Sequence, residues 1–217
     1  MSIEHKDIAA IREDYSKGSL LESDTLENPL EQFQLWFEQA LASDVLEPNA
    51  MVLSTINSGG FPSSRVVLLK DLKAGGFSFF TNYSSQKGQD IARNEKVSLL
   101  FFWGELQRQV RVEGTVSVLA EEDSNDYFSS RPKGSQIGAW SSPQSQIIAD
   151  RSVLEERVAA KEVEFEGLST IPKPPFWGGY SIQPVRIEFW QGRSSRLHDR
   201  IVYCKENDVW IKNRLAP

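Results

Sequence analysis

A helix start stands out in the first fifty residues. Asn28 is a capping residue, Pro29 suits the first helical position, and Glu31 follows three residues after the cap. Leu30, Phe33, Trp36, Phe37, Ala40 and Leu41 then recur at helical spacing. The pattern predicts an amphipathic helix from Asn28 that "EPNA" brings to an end. Upstream, residues 1–27 are polar and weakly patterned. "IREDYSKGSLLESD" reads as a short helix followed by a flexible arm.

Downstream the apolar period shortens. "MVLSTI" (51–56), the turn signal "NSGG" and "SSRVVLLKDL" (63–72) predict a hairpin. "GGFSFFTN" (75–82) is a further strand. "KVSLLFFW" (96–103) is nearly all apolar, which predicts burial on both faces. In "LQRQVRVEGTVSVL" (106–119), Val110, Val112, Gly114, Val116 and Val118 share one face, with Gln109, Arg111, Glu113 and Thr115 on the other. A last meander is expected over 179–190, 200–205 and 208–213. Helical pieces fall at 84–94, at 121–131 before Pro132, and at 149–166, a charged surface helix. Closely spaced strands with few helices between them predict an antiparallel, mainly β fold with flanking helices (α+β). No linker-like stretch divides 28–217, so those residues are expected to form a single domain behind an N-terminal arm, 1–27.

Composition narrows the function. The net charge of -6 argues against a general nucleic-acid binder. One cysteine, Cys204, excludes an internal disulfide, and with two histidines leaves no basis for a Cys/His metal site. No apolar run reaches membrane-spanning length, and the N-terminus lacks a signal-peptide core, which predicts a cytoplasmic protein.

Against that acidic background, cations gather in four places. Arg65 and Lys70 flank an apolar strand, where each needs water or an anion. Serines open a helix whose first turn carries Lys87, and a helix N-terminus attracts phosphate. Tyr127, Arg131 and Ser135 recur every four residues, but Pro132 and Gly134 predict a helix end and a turn rather than one continuous face. In "RLHDR", a strand-like segment would put Arg196, His198 and Arg200 on one side, stable only with an anion, a carboxylate or an electron-rich ring among them. Each cluster alone is also what a solvated strand end or an ordinary helix cap would leave. Together they point to one or two phosphorylated ligands, and Phe189 and Trp190 suggest a wall for a flat one.

"RVVLLK", "YFSSRPKGSQIGAW", "PPFWGGYSIQPVRIEFWQG", "RLHDR" and the terminal "RLAP" resemble the pyridoxine (pyridoxamine) 5'-phosphate oxidase family, from about residue 12 to the C-terminus. The resemblance implies an FMN-binding split β-barrel, a homodimer with FMN at the subunit interface. The implied reaction oxidises pyridoxine or pyridoxamine 5'-phosphate to pyridoxal 5'-phosphate by hydride transfer from substrate C4' to flavin N5. O2 is the acceptor, giving H2O2, and NH3 leaves from the amine. The matching flavin positions are Arg65, Val66, Val67, Leu68, Leu69, Lys70, Phe80, Thr81, Gln86, Lys87, Gln109, Gln144, Ser145, Trp190 and Arg200. Lys70, Tyr127, Arg131 and Ser135 match the substrate-phosphate site, and Arg196 and His198 match residues against the substrate ring. Arg12 to Tyr15 resembles a segment that covers the bound substrate. Gln86 departs from the family's Arg and implies a weaker phosphate contact there.

A guanidinium stays protonated, so Arg196 is expected to orient substrate rather than act as a base. An unperturbed histidine titrates near neutrality, which leaves His198 open to either role, base or hydrogen-bond partner. The rival readings are another FMN split-barrel enzyme, such as a flavin reductase or an oxidase of a different substrate, and a carrier without turnover. "YFSSRPKGS" together with "RLHDR" favours the vitamer oxidase.

Overall fold

A computed structural model describes residues 10, 11 and 13–217. Strands β1 (Ala50–Ile56), β2 (Pro62–Leu68), β3 (Phe77–Asn82), β4 (Lys96–Trp103), β5 (Arg108–Val118), β6 (Trp177–Gln191), β7 (Asp199–Glu206) and β8 (Val209–Leu215) form one sheet. Its order is β2-β1-β4-β5-β6-β7-β8, with β3 on β6. The β1–β2, β3–β6, β6–β7 and β7–β8 pairs are antiparallel. Helices α1 (Pro29–Leu41), α2 (Gln86–Arg93), α3 (Glu121–Ser130), α4 (Lys133–Ser141) and α5 (Ser152–Glu164) complete an α+β fold. None of the described helices is long and apolar enough to cross a membrane.

The chain divides into two compact units: Met1–Pro48, Leu100–Val112 and Arg186–Pro217 in one, Asn49–Leu99 and Glu113–Val185 in the other. In the first, α1 begins as expected, with the Asn28 side chain accepting from Leu30 N at 2.9 Å. Its inner face supplies Phe33, Trp36 and Ala40 to the core. The Phe33 ring lies 4.9 Å from Phe101, and Trp36 meets Phe189 edge-on at 5.2 Å. In the second unit, Met51, Leu53, Phe77, Phe79 and Ile182 are fully buried. A separate cluster of Phe128, Ile137, Phe165, Ile171 and Trp177 packs around α3 and α4.

Four expectations change. The strand expected over 63–72 stops at Leu68, where its partner β1 begins at Ala50. Lys70 leaves that ladder and donates its N–H to Ser78 O. β4 is nearly all apolar but buried on alternate residues only: Val97, Leu99, Phe101 and Trp103 are inside, and Phe102 is exposed. Composition hid a period of two. On β5, Val110, Val112 and Val116 are buried as expected, but Val118, at the end of the strand, is exposed. In "RLHDR", residues 194–196 make a tight turn with positive φ at Ser195 and Arg196, and β7 begins only at Asp199, so the three groups do not share a strand face.

Described residues of the N-terminal segment are tied down. Ser16 N and Lys17 N donate to Gln107 Oε1, and Leu20 N donates to Asp199 Oδ2 at 3.0 Å. Residues 13–21 carry no helix where a short one was expected, and Glu22–Asp24 forms a single 3-10 turn.

The charged centre of the first unit is Glu188 on β6, which is 1% exposed. Arg200 donates to Oε1 at 2.8 Å, and Arg186 and Arg111 reach Oε2 at 3.1 and 3.5 Å. Burial alone would raise the carboxyl's pKa. The Arg200 hydrogen bond and the three positive charges outweigh it and hold the pKa below the usual glutamate range. The pairing therefore stabilises the fold above that range, and the benefit is lost as pH falls through the depressed pKa. Glu188→Gln should cost roughly 3 kcal/mol or more at neutral pH in urea unfolding, because three guanidiniums lose a buried counter-charge. The gap from wild type should narrow on acidification.

Candidate functional site

In the second unit, the end of β2, β3, α2, α3, α4 and the start of β6 surround a cleft of about 650 Å³. One wall is aromatic. Phe80 stacks on Tyr127 at 4.0 Å and on Trp177 at 5.5 Å, and the planes of Tyr127 and Trp177 differ by 6°. Cations sit over these rings: Lys70 Nζ is 5.8 Å from the Tyr127 centroid and the Arg131 guanidinium 4.8 Å from that of Trp177.

Local sequence places Arg131. Pro132 disfavours helical backbone before it, so α3 stops at Ser130 and Arg131 is extended. α4 starts directly after Pro132, a second helix that the expected helix end and turn did not include. Gln136 bridges the break by donating to Arg131 O at 2.7 Å. Ser135, in the first turn of α4, lines the cleft with Tyr127, Arg131 and Lys70. Arg131 Nη1 is buried with no hydrogen-bond partner, and burial pushes the group's pKa down.

Lys87 occupies another part of the cleft. Ser85 caps α2 by accepting from Gly88 N. A side chain at Gly88 would lie 2.1 Å from Tyr83 O, so only glycine lets the helix start this close to the preceding turn. Lys87 Nζ lies 3.3 Å from each of Thr81 Oγ1, Ser85 Oγ and Gln144 Oε1, all neutral. Burial, and then the charge of Arg65, hold its pKa below the ordinary lysine value. A buried ammonium with only neutral neighbours is costly and would gain from a nearby anion.

Val66, Val67, Leu68, Phe80, Thr81 and Gln144 line the same cleft, whereas Arg65, Leu69, Gln86 and Ser145 do not. Leu69 is core. Arg65 and Gln86 turn to Asp90, a fully buried residue that the sequence reading missed. Gln86 Nε2 and Arg93 Nη2 each donate to Asp90 Oδ1 at 2.8 Å, Thr55 donates to Oδ2 at 2.8 Å, and Arg65 lies 3.8 Å from Oδ2. These hydrogen bonds overcome burial, which acts to raise the pKa, and hold Asp90 below the usual aspartate value. The spacing of Gln86 and Asp90, one helical turn apart, was the available signal. Asn82, Ser142 and Trp177 also line the cleft and were not singled out from the sequence.

The other candidates belong to the first unit. The His198 ring lies 4.7 Å from Trp190 and 5.8 Å from Tyr15, and Tyr15 meets Trp190 edge-on at 5.7 Å. A side chain at Gly192 would come within 2.8 Å of the Tyr15 ring, so the glycine admits the N-terminal segment. Arg196 is exposed on its turn. Arg200 is held by Glu188 and by Ala216 O. Gln109 is half-buried on β5. Arg12 lies outside the described residues.

A mainly antiparallel α+β fold thus carries a cleft with an aromatic wall and cations that lack a carboxylate partner among the described residues, an arrangement suited to a flat, phosphorylated small molecule. Residues 37–165 match the family described as pyridoxamine 5'-phosphate oxidase, and 177–217 match the pyridoxine 5'-phosphate oxidase C-terminal dimerisation region. The chain belongs to the pyridoxamine 5'-phosphate oxidase family. It is 51% identical over 212 residues to the pyridoxine/pyridoxamine 5'-phosphate oxidase of Rubrobacter xylanophilus, covering 98% of this chain and 97% of that protein. Its identity to the protein of the same name from a Cyanothece species is 50%, covering 97% and 98% of the two chains. The crystal structure of PhzG from Burkholderia lata 383, bound to tetrahydrophenazine-1-carboxylic acid, superposes with a TM-score of 0.86 at 28% identity. That match covers 93% of this chain and all of the other.

Lys87→Met tests the anion site. The ligand-free protein should become more stable, because a buried charge is removed, while inorganic phosphate binding should weaken at least about ten-fold through loss of a charged hydrogen bond. The wild type should also gain stability as pH rises from the depressed pKa of Lys87 toward the ordinary lysine value, and the variant should lack that rise. Thermal unfolding across pH, with and without phosphate, reads both effects.

Proposed function

We propose that this chain oxidises pyridoxine 5'-phosphate or pyridoxamine 5'-phosphate to pyridoxal 5'-phosphate, with FMN as bound cofactor and O2 as acceptor. The products are H2O2 and, from the amine, ammonia, with water supplying the aldehyde oxygen. The observation that carries this reading is the pair of buried Lys87 and half-buried Arg131, neither with a carboxylate partner among the described residues, in a cleft walled by stacked aromatics. Near 50% identity over almost the whole chain to proteins named for this oxidation supports it.

The residues present fit a flavin mononucleotide. The orphaned Arg131 Nη1 and the neutrally surrounded Lys87 supply two places for phosphate, and the aromatic wall suits a flat ring. Bound FMN supplies the two-electron acceptor and passes the electrons on to oxygen. Lys87 holds the cofactor phosphate, with Thr81 and Gln144 beside it. Lys70, Tyr127, Arg131 and Ser135 take the substrate phosphate, turning remote binding energy into orientation of the reacting carbon. Arg196 and His198 serve the substrate ring, and Tyr15 helps to exclude water over it. Arg65, Gln86 and Arg200 act indirectly, through Asp90 and Glu188. The resemblance and the match to a dimerisation region support a homodimer with FMN at its interface, working in the cytoplasm, with 1–27 as covering arm to a single domain.

The PhzG complex keeps a second reading in view, oxidation of a different ring without a phosphate handle. Purified protein given FMN should turn yellow and release peroxide with pyridoxine 5'-phosphate but not with pyridoxine. Arg131→Ala should raise KM for the phosphorylated substrate roughly ten- to hundred-fold, the worth of a charged hydrogen bond. A protein that stays colourless with FMN overturns the flavin assignment. An unchanged KM moves the phosphate site elsewhere.

A further inference from the structure

Gln107, the residue just before β5, uses its two carbonyl groups for different purposes. It is buried, with left-handed backbone at φ of 53°. Its backbone belongs to the fold. Gln107 N donates to Gly104 O at 3.0 Å, and Gln107 O accepts from Gly192 N at 2.8 Å and from Gln191 Nε2 at 3.2 Å. Its side chain serves a segment far earlier in the chain. Oε1 accepts from Ser16 N at 3.0 Å and from Lys17 N at 3.1 Å. An amide oxygen has two lone pairs, and here both go to consecutive N–H groups.

The residues on either side show what these two bonds hold. Downstream, Leu20 is fixed independently: its N–H donates to Asp199 Oδ2 and its C=O accepts from Arg214 at 2.9 Å. Between the two anchors, Gly18 passes so close to Gln191 that a Cβ there would lie 3.1 Å from Oε1. The Lys17 ammonium adds an exposed bond to Glu105 O at 2.7 Å. Upstream, one residue before the pinned pair, Tyr15 meets Trp190 and His198. Before Tyr15, Asp14 Oδ1 accepts from Ser195 N at 3.4 Å, a long bond at an exposed position. Gln107 is thus the buried anchor next to Tyr15, and its side chain can be changed without touching the anchor at Leu20.

We propose that Gln107 is a positioning residue: its side-chain carbonyl holds the 15–18 segment down, so that Tyr15 stands against Trp190 and His198 before any substrate arrives. The consequence for substrate rests on the proposed function, whereas the anchoring does not. A protein that keeps its binding-competent arrangement populated loses apparent affinity when that population falls. Contacts made equally to substrate and transition state act on KM and leave kcat unchanged.

Two variants separate the anchor from the fold, because both keep the backbone bonds to Gly104 and Gly192. Gln107→Met removes the acceptor at similar size. Gln107→Glu keeps it and adds a charge that two N–H donors favour. In hydrogen exchange of the full-length protein as purified, the Ser16 and Lys17 amides of the Met variant should exchange roughly ten-fold faster or more, the worth of two hydrogen bonds. In the Glu variant they should exchange at the wild-type rate or slower, and the Leu20 amide should be unchanged in both. With pyridoxine 5'-phosphate, the Met variant should raise KM roughly three- to thirty-fold with kcat within about two-fold, and the Glu variant should restore KM. Unchanged exchange at Ser16 and Lys17 in the Met variant overturns the anchor. Lost protection at Leu20 also overturns it, since the side chain would then be supporting the fold at large. Faster exchange with an unchanged KM, a fall in kcat alone, or a Glu variant no better than Met overturns the positioning role. Failure of the oxidase reading would appear separately, as wild-type protein that makes no peroxide while the exchange contrast persists.

Discussion

The first unit is organised around one buried carboxylate. Glu188 sits inside β6, and arginines from β5, β6 and β7 converge on it. A lone carboxylate there would be costly to ionise, and a group of arginines without it would repel. Each therefore requires the other. Because Arg200 is the second residue of β7, its bond to Glu188 also fixes where that strand begins. The 193–198 turn is closed from the other direction, by Arg193 on Asp199. His198 and Arg196 thus hang between two ion pairs, which is how an exposed turn with two left-handed residues keeps one conformation.

The second unit divides its charges differently. Asp90 satisfies Arg65, Arg93 and Gln86 and gives α2 a rigid, internally paired face. Lys87, one residue after Gln86, receives only neutral oxygens. The pairing at Asp90 contributes stability, whereas the isolation of Lys87 costs some. The helix holds both because successive residues point to different faces. A ligand phosphate would complete Lys87 in the way Asp90 completes Arg65.

Much of this was legible in the sequence and some was not, for definite reasons. The Asn28 cap and the closing meander were readable because local propensity and period agree there; the 96–103 strand was readable from its apolar composition, though not its period. The end of β2 at Leu68 was not, since the length of β1, a long-range property, decides it. Lys70, Tyr127, Arg131 and Ser135, which the family resemblance brings together, line one cleft. The Arg131–Pro132 break was visible, but the immediate start of α4 was not, because Pro132 both ends one helix and opens the next. Reading "RLHDR" as strand-like with one common face failed because Ser195, just before it, and Arg196, its first residue, are left-handed with no glycine to announce them.

Cation-rich motifs do not by themselves mark ligand contacts; the partner decides. The sequence grouped Arg65 with Lys87, and Arg200 with Arg196 and His198. In the fold Arg65 has Asp90 and Arg200 has Glu188, each a carboxylate supplied by another element. Lys87, Arg131 and Arg196 have no such carboxylate among the described residues. A charged group already neutralised inside the protein gains little from a ligand and would have to give up its partner to bind one. An unneutralised one gains the full interaction once its surroundings are desolvated by the ligand. By that criterion Arg65 and Arg200 already have a counter-charge inside the protein, whereas Gln86 brings no charge to its partner Asp90. The Gln86 amide serves a carboxylate that Arg93 and Arg65 also contact.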